Sequence, residues 1–196
     1  TWAITDTQQA GDAILHLVEG DGAPDQGSEA DVQVDTKRRA TIQRHHSVTH
    51  LFHWALHEVT SPEASQKGSY VGPDKLTFDF NSQTLSRQQI TDIEDLVNER
   101  IVENAAISCT EIPHNEISAR EDILQFFSDK YGDTVRVVQI GGDAGALNGY
   151  SMELCGGTHV GSSAQIGPVT ILGESSVGSG VRRVEDLLDG AQLQRL

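Results

Sequence analysis

Cysteine is nearly absent from this 196-residue chain, which carries only Cys109 and Cys155. A fold of this length needs no disulfide staples, and a reducing cytosol is the default expectation. Basic residues are also scarce. Fourteen Lys and Arg stand against 29 Asp and Glu, for a net charge of −15 and a pI near 4.7. That balance argues against nucleic-acid binding through broad electrostatic coverage, because each phosphate contact draws on a Lys or Arg. Any such contact has to be local, and the available cations cluster at Lys37-Arg38-Arg39 with Arg44, and at Arg182-Arg183. There is no long apolar run and no charged-then-apolar N-terminal segment, so neither a membrane span nor a secretory route is expected. Repeats and low-complexity tracts are missing too. The 37% hydrophobic content suffices for one compact domain with an appendage.

Local patterns give an order of elements. Trp2–Thr5, Ala13–Val18 and Ala30–Asp35 read as short strands, with a surface loop at 19–28. The first strand has no partner before it, which suggests the tail of a small β-barrel over residues 1–40. From Arg44 to Val59 apolar residues recur at helical spacing until Pro62. Ser69–Val71 and Leu76–Phe80 form a hairpin with one wet face. Ser86 and Gln89 make a capping box for a helix reaching about Ala106, with Ile90, Ile93, Val97 and Ile101 as its core stripe. A strand at Ile107–Ile112, a short helix at Arg120–Asp129 and a strand at Thr134–Ile140 follow. Strands near Val169–Leu172 and Gly180–Val184, then a partial helix, complete an α+β chain.

Two half-sites carry the chemistry. His46 and His50 stand at i, i+4, which puts both imidazoles on one helix face. Cys155-Gly156-Gly157-Thr158-His159 brings a thiol and an imidazole together across a glycine turn. Zinc accepts such a set of nitrogen and sulfur donors at tetrahedral geometry. His53 and His57 share the His46/His50 face, but His57 is roughly 16 Å along the helix from His46, so one ion cannot use all four. They read as half-exposed positions beside Trp54 and Glu58. His45 reads as plain surface and Cys109 as a buried strand residue. Four protein ligands close a tetrahedral zinc, whereas a catalytic zinc keeps an open position, so structural and catalytic roles both stay open. Thr49, Thr158 and Gln66 are the polar residues placed beside the ligands.

Four blocks together resemble a known family: Arg44–Leu51, Gln66–Phe80, Met152–Val160 and Gly180–Glu185 are similar to the editing domain of alanyl-tRNA synthetase. Free-standing editing proteins share the pattern, and the threonyl-tRNA synthetase editing domain shares it more loosely, with Pro where this chain has Thr158. The resemblance implies a two-layer mixed α/β editing domain over residues 41–196, preceded by the barrel remnant. It implies hydrolysis of tRNA(Ala) mischarged with serine or glycine, in the cytoplasm, as part of an alanine-tRNA ligase whose other domains would be its partners. Carried over, His46, His50, Cys155 and His159 would hold Zn2+, Thr49 and Gln66 would line the catalytic pocket, and Arg182, Arg183 and Arg44 would meet the tRNA. A free-standing editor, or a non-catalytic zinc-stapled tRNA-binding module, are the alternatives. This chain departs from the family at His45, where Asn is usual, at Ser47 in place of Thr and at Val48 in place of Ala. His45 could compete for the metal or titrate near neutral pH.

Overall fold

Asp35 ends an extended stretch and opens the longest helix, its carboxylate accepting from the backbone N–H of Arg38 at 2.9 Å. The computed structural model describes residues 1–22, 24–126, 132–178 and 180–188. It divides the chain into two units, Thr1–Val34 and Asp35–Leu196.

The first unit is a hairpin of β1 (Ala3–Ala10) and β2 (Ala13–Glu19). Gly11, at φ +61°, makes its two-residue turn possible. The polar run Asp6–Gln9 hides β1's true length from a hydrophobicity pattern. Ala30–Asp35, expected as a strand, pairs with no other strand among the described residues.

The second unit begins with α1 (Thr36–Val59), which starts eight residues earlier than its apolar stripe predicts. Residues 36–40 are exposed, so their helix rests on the Asp35 cap rather than on packing. Next come β3 (Gln66–Val71), β4 (Leu76–Asn81) and α2 (Arg87–Val102). The Ser86–Gln89 capping box forms as expected. The helix stops at Val102 rather than Ala106, and Asn104 takes the left-handed conformation at φ 54°.

β5 (Ile107–Pro113), α3 (His114–Ile117), β6 (Thr134–Ile140), β7 (Ser151–Leu154), β8 (Val169–Gly178) and β9 (Val181–Leu188) complete the unit. Its two antiparallel sheets have the orders β3-β4-β9-β8 and β5-β6-β7. The helix expected at Arg120–Asp129 is absent over 120–126. There the backbone of Leu124 bonds Met152 and Leu154 and so extends the edge of β7. Residues 127–129 lie outside the described residues; β9 continues to Leu188, past the expected strand end at Val184, and only the part of the expected C-terminal helix beyond 188 lies outside them.

The main core joins Val48, Leu51, Phe52, Ala55 and Leu56 of α1 to Leu76, Phe78 and Phe80 of β4, and to Ile93, Val97 and Ile101 of α2. The Phe52 ring meets Phe78 edge-on at 5.1 Å, and each fully buried ring of this kind contributes roughly 2–3 kcal/mol. The outward face of β4 is partly covered, with Thr77 buried and Asp79 paired to Arg183 of β9.

Strand β6 is covered on both faces. Val138 and Ile140 face the main core, while Val135 and Val137 face a second cluster with Met152 and Leu154. Register decides what β7 presents. Glu153 stands opposite Val138 and therefore points into the main core, toward α1.

Candidate metal centre

His46 and His50 extend from the buried face of α1, and Cys155 and His159 from the turn that leaves β7. Their ligand atoms all lie within 4.8 Å of one another. A tetrahedral zinc with bonds of about 2.3 Å to sulfur and about 2.0–2.1 Å to nitrogen spaces those atoms about 3.5 Å apart. Cys155 Sγ lies 3.4 Å from His46 Nε2 and 3.5 Å from His159 Nε2. His50 Nε2 is buried and makes no hydrogen bond within the protein. A buried imidazole nitrogen is costly to leave unmatched, and an ion among these four groups would satisfy it. The donor set and its spacing therefore fit a metal such as zinc.

Electrostatics prepare the ligands. Burial pushes the Cys155 thiol up, but the neighbouring imidazoles of His159, His46 and His50 outweigh it and hold the thiol down at about 3. Cys155 is thus a thiolate at neutral pH, the form that binds metal. Burial lowers His159, against the pull of Cys155, and so favours the neutral imidazole that a ligand must be.

The glycines of the turn differ in purpose. A Cβ on Gly157 would come within 1.7 Å of the His46 ring, whereas one on Gly156 would meet nothing within 4 Å. Only glycine at 157 lets the turn close on His46. Gly157→Ala is expected to lower zinc affinity at least about tenfold in a chelator competition titration while leaving circular dichroism unchanged. Wild-type affinity in that variant would show that the turn has room.

Around the quartet stand residues that sequence reasoning missed. Arg136 of β6 donates through Nε to Cys155 O at 2.8 Å and through Nη2 to Gly157 O, and so clamps the turn. Ser47, fully buried, accepts from the Val160 N–H at 3.1 Å and lies 3.3 Å from His159 Nδ1. Glu153 Oε2 lies 2.7 Å from His50 Nδ1, an ion-pair distance although off the line of a well-formed hydrogen bond. Its Oε1 lies 3.0 Å from His53 Nδ1. Burial works against this pair, yet Glu153 is pulled below, and His50 pushed above, its ordinary range because each faces the other's charge. A neighbouring ligand offered the only signal for Glu153, since acidic residues are rarely buried without a partner.

Residues 135–185 match the family model described as the threonyl and alanyl tRNA synthetase second additional domain. This stretch holds Arg136, Glu153, Cys155 and His159. Across all of its length the chain is 43% identical to the alanine–tRNA ligase of Akkermansia muciniphila, covering 21% of that protein. Over 81% of its length it is 49% identical to the alanine–tRNA ligase of Methylacidiphilum infernorum, and over 93% it is 41% identical to that of Dichelobacter nodosus. The chain is related to the alanine–tRNA ligases. It spans 21%, 16% and 20% of these three relatives.

In this relative of the alanine–tRNA ligases, the other expected site residues are arranged less simply. The Thr49 hydroxyl donates to His45 O at 2.9 Å, and Gln66 Nε2 donates to Ser69 Oγ at 3.0 Å. Arg182 and Arg183 are neighbours on β9 and so point to opposite faces of the sheet. Arg182 makes a two-pronged pair with Glu174, and Arg183 one with Asp79 at 2.6 and 2.7 Å. Arg44 Nε donates to Ile166 O at 2.6 Å.

Three expectations about polar residues are corrected. His45 is buried rather than on the surface, its Nδ1 lies 2.7 Å from Gly72 O, and it takes no part in the quartet. Burial also lowers its pKa, so it stays neutral at neutral pH. His53 is fully buried rather than half-exposed, its Nδ1 lying 3.0 Å from Glu153 Oε1 and its Nε2 3.2 Å from Ala64 O. Cys109 is exposed on the three-stranded sheet.

Proposed function

We propose that this chain hydrolyses the ester of tRNA(Ala) mischarged with serine or glycine, at a zinc-containing site. The observation that carries the reading is the convergence of His46, His50, Cys155 and His159 at zinc spacing, in a chain similar to alanine–tRNA ligases over its whole length. Zinc bound there would supply positive charge beside the ester and the terminal ribose.

The chain's own residues do the rest. Thr49 has spent its hydroxyl proton on His45 O and can only accept, which suits it to orient a water or the substrate's amine. Gln66, two residues beyond Ala64, offers an amide to the amino-acid side chain. The water adds to the ester carbonyl, the ribose oxygen leaves with a proton, and free amino acid and tRNA result. Serine is selected over alanine by its hydroxyl, since a site built to hydrogen-bond a group penalises its absence.

Arg182, Arg183 and Arg44 would meet phosphates near the CCA end. Arg183 is the more exposed of the β9 pair, and a phosphate would compete with Asp79 for it. In the first unit, Ile4, Ile14, Leu15 and Leu17 are exposed, as suits strands of a barrel that buries them against further chain. The remaining domains of a ligase would be the partners, in the cytoplasm. No described helix is long and apolar enough to cross a membrane.

Incubating the protein with seryl-tRNA(Ala), seryl-tRNA(Thr) and alanyl-tRNA(Ala) tests the assignment. Release of serine from tRNA(Ala) ahead of the other two is expected, and preference for seryl-tRNA(Thr) would overturn it. One observation favours a second reading, a zinc-stapled module without catalysis: the quartet supplies four protein ligands and so fills a tetrahedral ion.

A further inference from the structure

We propose that Glu153 is the positioning residue of the metal centre, a single carboxylate shared by His50 and His53 that holds the His50 ring with Nε2 turned into the quartet. This rests on the reading that the quartet binds a metal ion. An imidazole that ligates through Nε2 carries its proton on Nδ1, and a carboxylate, which only accepts, selects that tautomer when it faces Nδ1.

The geometry of Glu153 suits the task. β7 register aims it at α1, and its two oxygens reach His50 Nδ1 at 2.7 Å and His53 Nδ1 at 3.0 Å. Glu153 is only 4% exposed, so its lone pairs are turned to the two rings rather than to bulk solvent. Its hold is anchored in turn, because His53 Nε2 lies 3.2 Å from Ala64 O. Ala64 lies in the segment that leads into β3, and the Ser65 N–H bonds Asn81 Oδ1 at the far end of β4. The line His50–Glu153–His53–Ala64 thus ties the metal-facing side of α1 to the strand that starts with Gln66. The same carboxylate that orients a ligand also sets where the proposed pocket wall begins.

Metal-free protein labelled with 15N-histidine, and zinc affinity by chelator competition, test this. The wild-type spectrum is expected to show a proton on His50 Nδ1, facing the carboxylate. In Glu153→Gln, whose amide can also donate, that preference should be lost and zinc affinity should fall about 10–100-fold. Glu153→Asp should recover part of the affinity. His53→Gln should cost less than Glu153→Gln, because it loosens the anchor and leaves the carboxylate. A wild-type His50 with no proton on Nδ1, or a folded Glu153→Gln with wild-type zinc affinity, would overturn the proposal. Should Glu153→Gln fail to fold, the wild-type spectrum alone decides. If the wild type takes up no zinc yet holds His50 as Nδ1–H, the metal reading fails and the grip of Glu153 on His50 stands.

Discussion

Cys155→Ala is expected to lose zinc and to hydrolyse seryl-tRNA(Ala) slower by on the order of a hundredfold or more, with its secondary structure intact. Cys155 is the one anionic donor of the quartet, and three neutral imidazoles without it leave the ion's charge uncompensated. The thiolate also accepts from the Gly157 N–H at 3.4 Å, so its loss frees the turn that carries His159. The fold should survive because the main core of α1, α2 and β4 does not pass through this residue and Cys155 only packs against its edge. Zinc content by mass spectrometry and single-turnover deacylation read the two effects separately. If the folded, zinc-free variant still releases serine at the wild-type rate, the ion is a staple and the non-catalytic role of the metal is correct.

Glu153→Ala should destabilise the metal-free protein by about 3–5 kcal/mol, because it strands His50 inside the core without its counter-charge and takes the carboxylate from beside His53 Nδ1. Acid should act on the wild type in the same direction. The folded-state pKa of Glu153 is lowered from 4.5 to about 2. Its contribution is therefore complete above 4.5 and is lost as pH falls toward 2. The pKa of His50 is raised from 6.5 to about 10, so its share is complete below 6.5 and is lost as pH rises toward 10. The pair contributes most between pH 4.5 and 6.5. Urea denaturation in chelator at pH 5.5 and pH 3 should show a steeper acid loss in the wild type than in Glu153→Ala. Parallel losses, or a cost in Glu153→Ala below about 1 kcal/mol, would show that the buried carboxylate has no such role.

Much of this architecture follows from local patterns. The stripe of α1, the capping box of α2 and the edges of β6 are legible because each is set by residues a turn or a pleat apart. The errors share a cause. Residues 36–40 are helical through an Asp35 cap with no apolar stripe to announce them, and Leu124 gives its backbone bonds to β7 instead of to a helix. β7 itself escaped notice because Ser-Met-Glu-Leu is short and carries a charge at a position that turns out to face the core. The Arg182-Arg183 pair looked like one basic patch. Strand alternation separates the two, and each pairs with its own carboxylate, Arg182 with Glu174 and Arg183 with Asp79.

The sequence by itself determined which residues could share an ion, since His46/His50 spacing and the Cys155–His159 turn encode donor chemistry within five residues each. It also determined the likeness to one segment of alanine–tRNA ligase. Only the tertiary structure decided that the two half-sites meet at zinc spacing, that Arg136 clamps the turn, and that Glu153 joins His50 to His53. Those contacts link residues 19 to 109 positions apart. What a buried polar group requires depends on the group opposite it, and no local pattern specifies that neighbour.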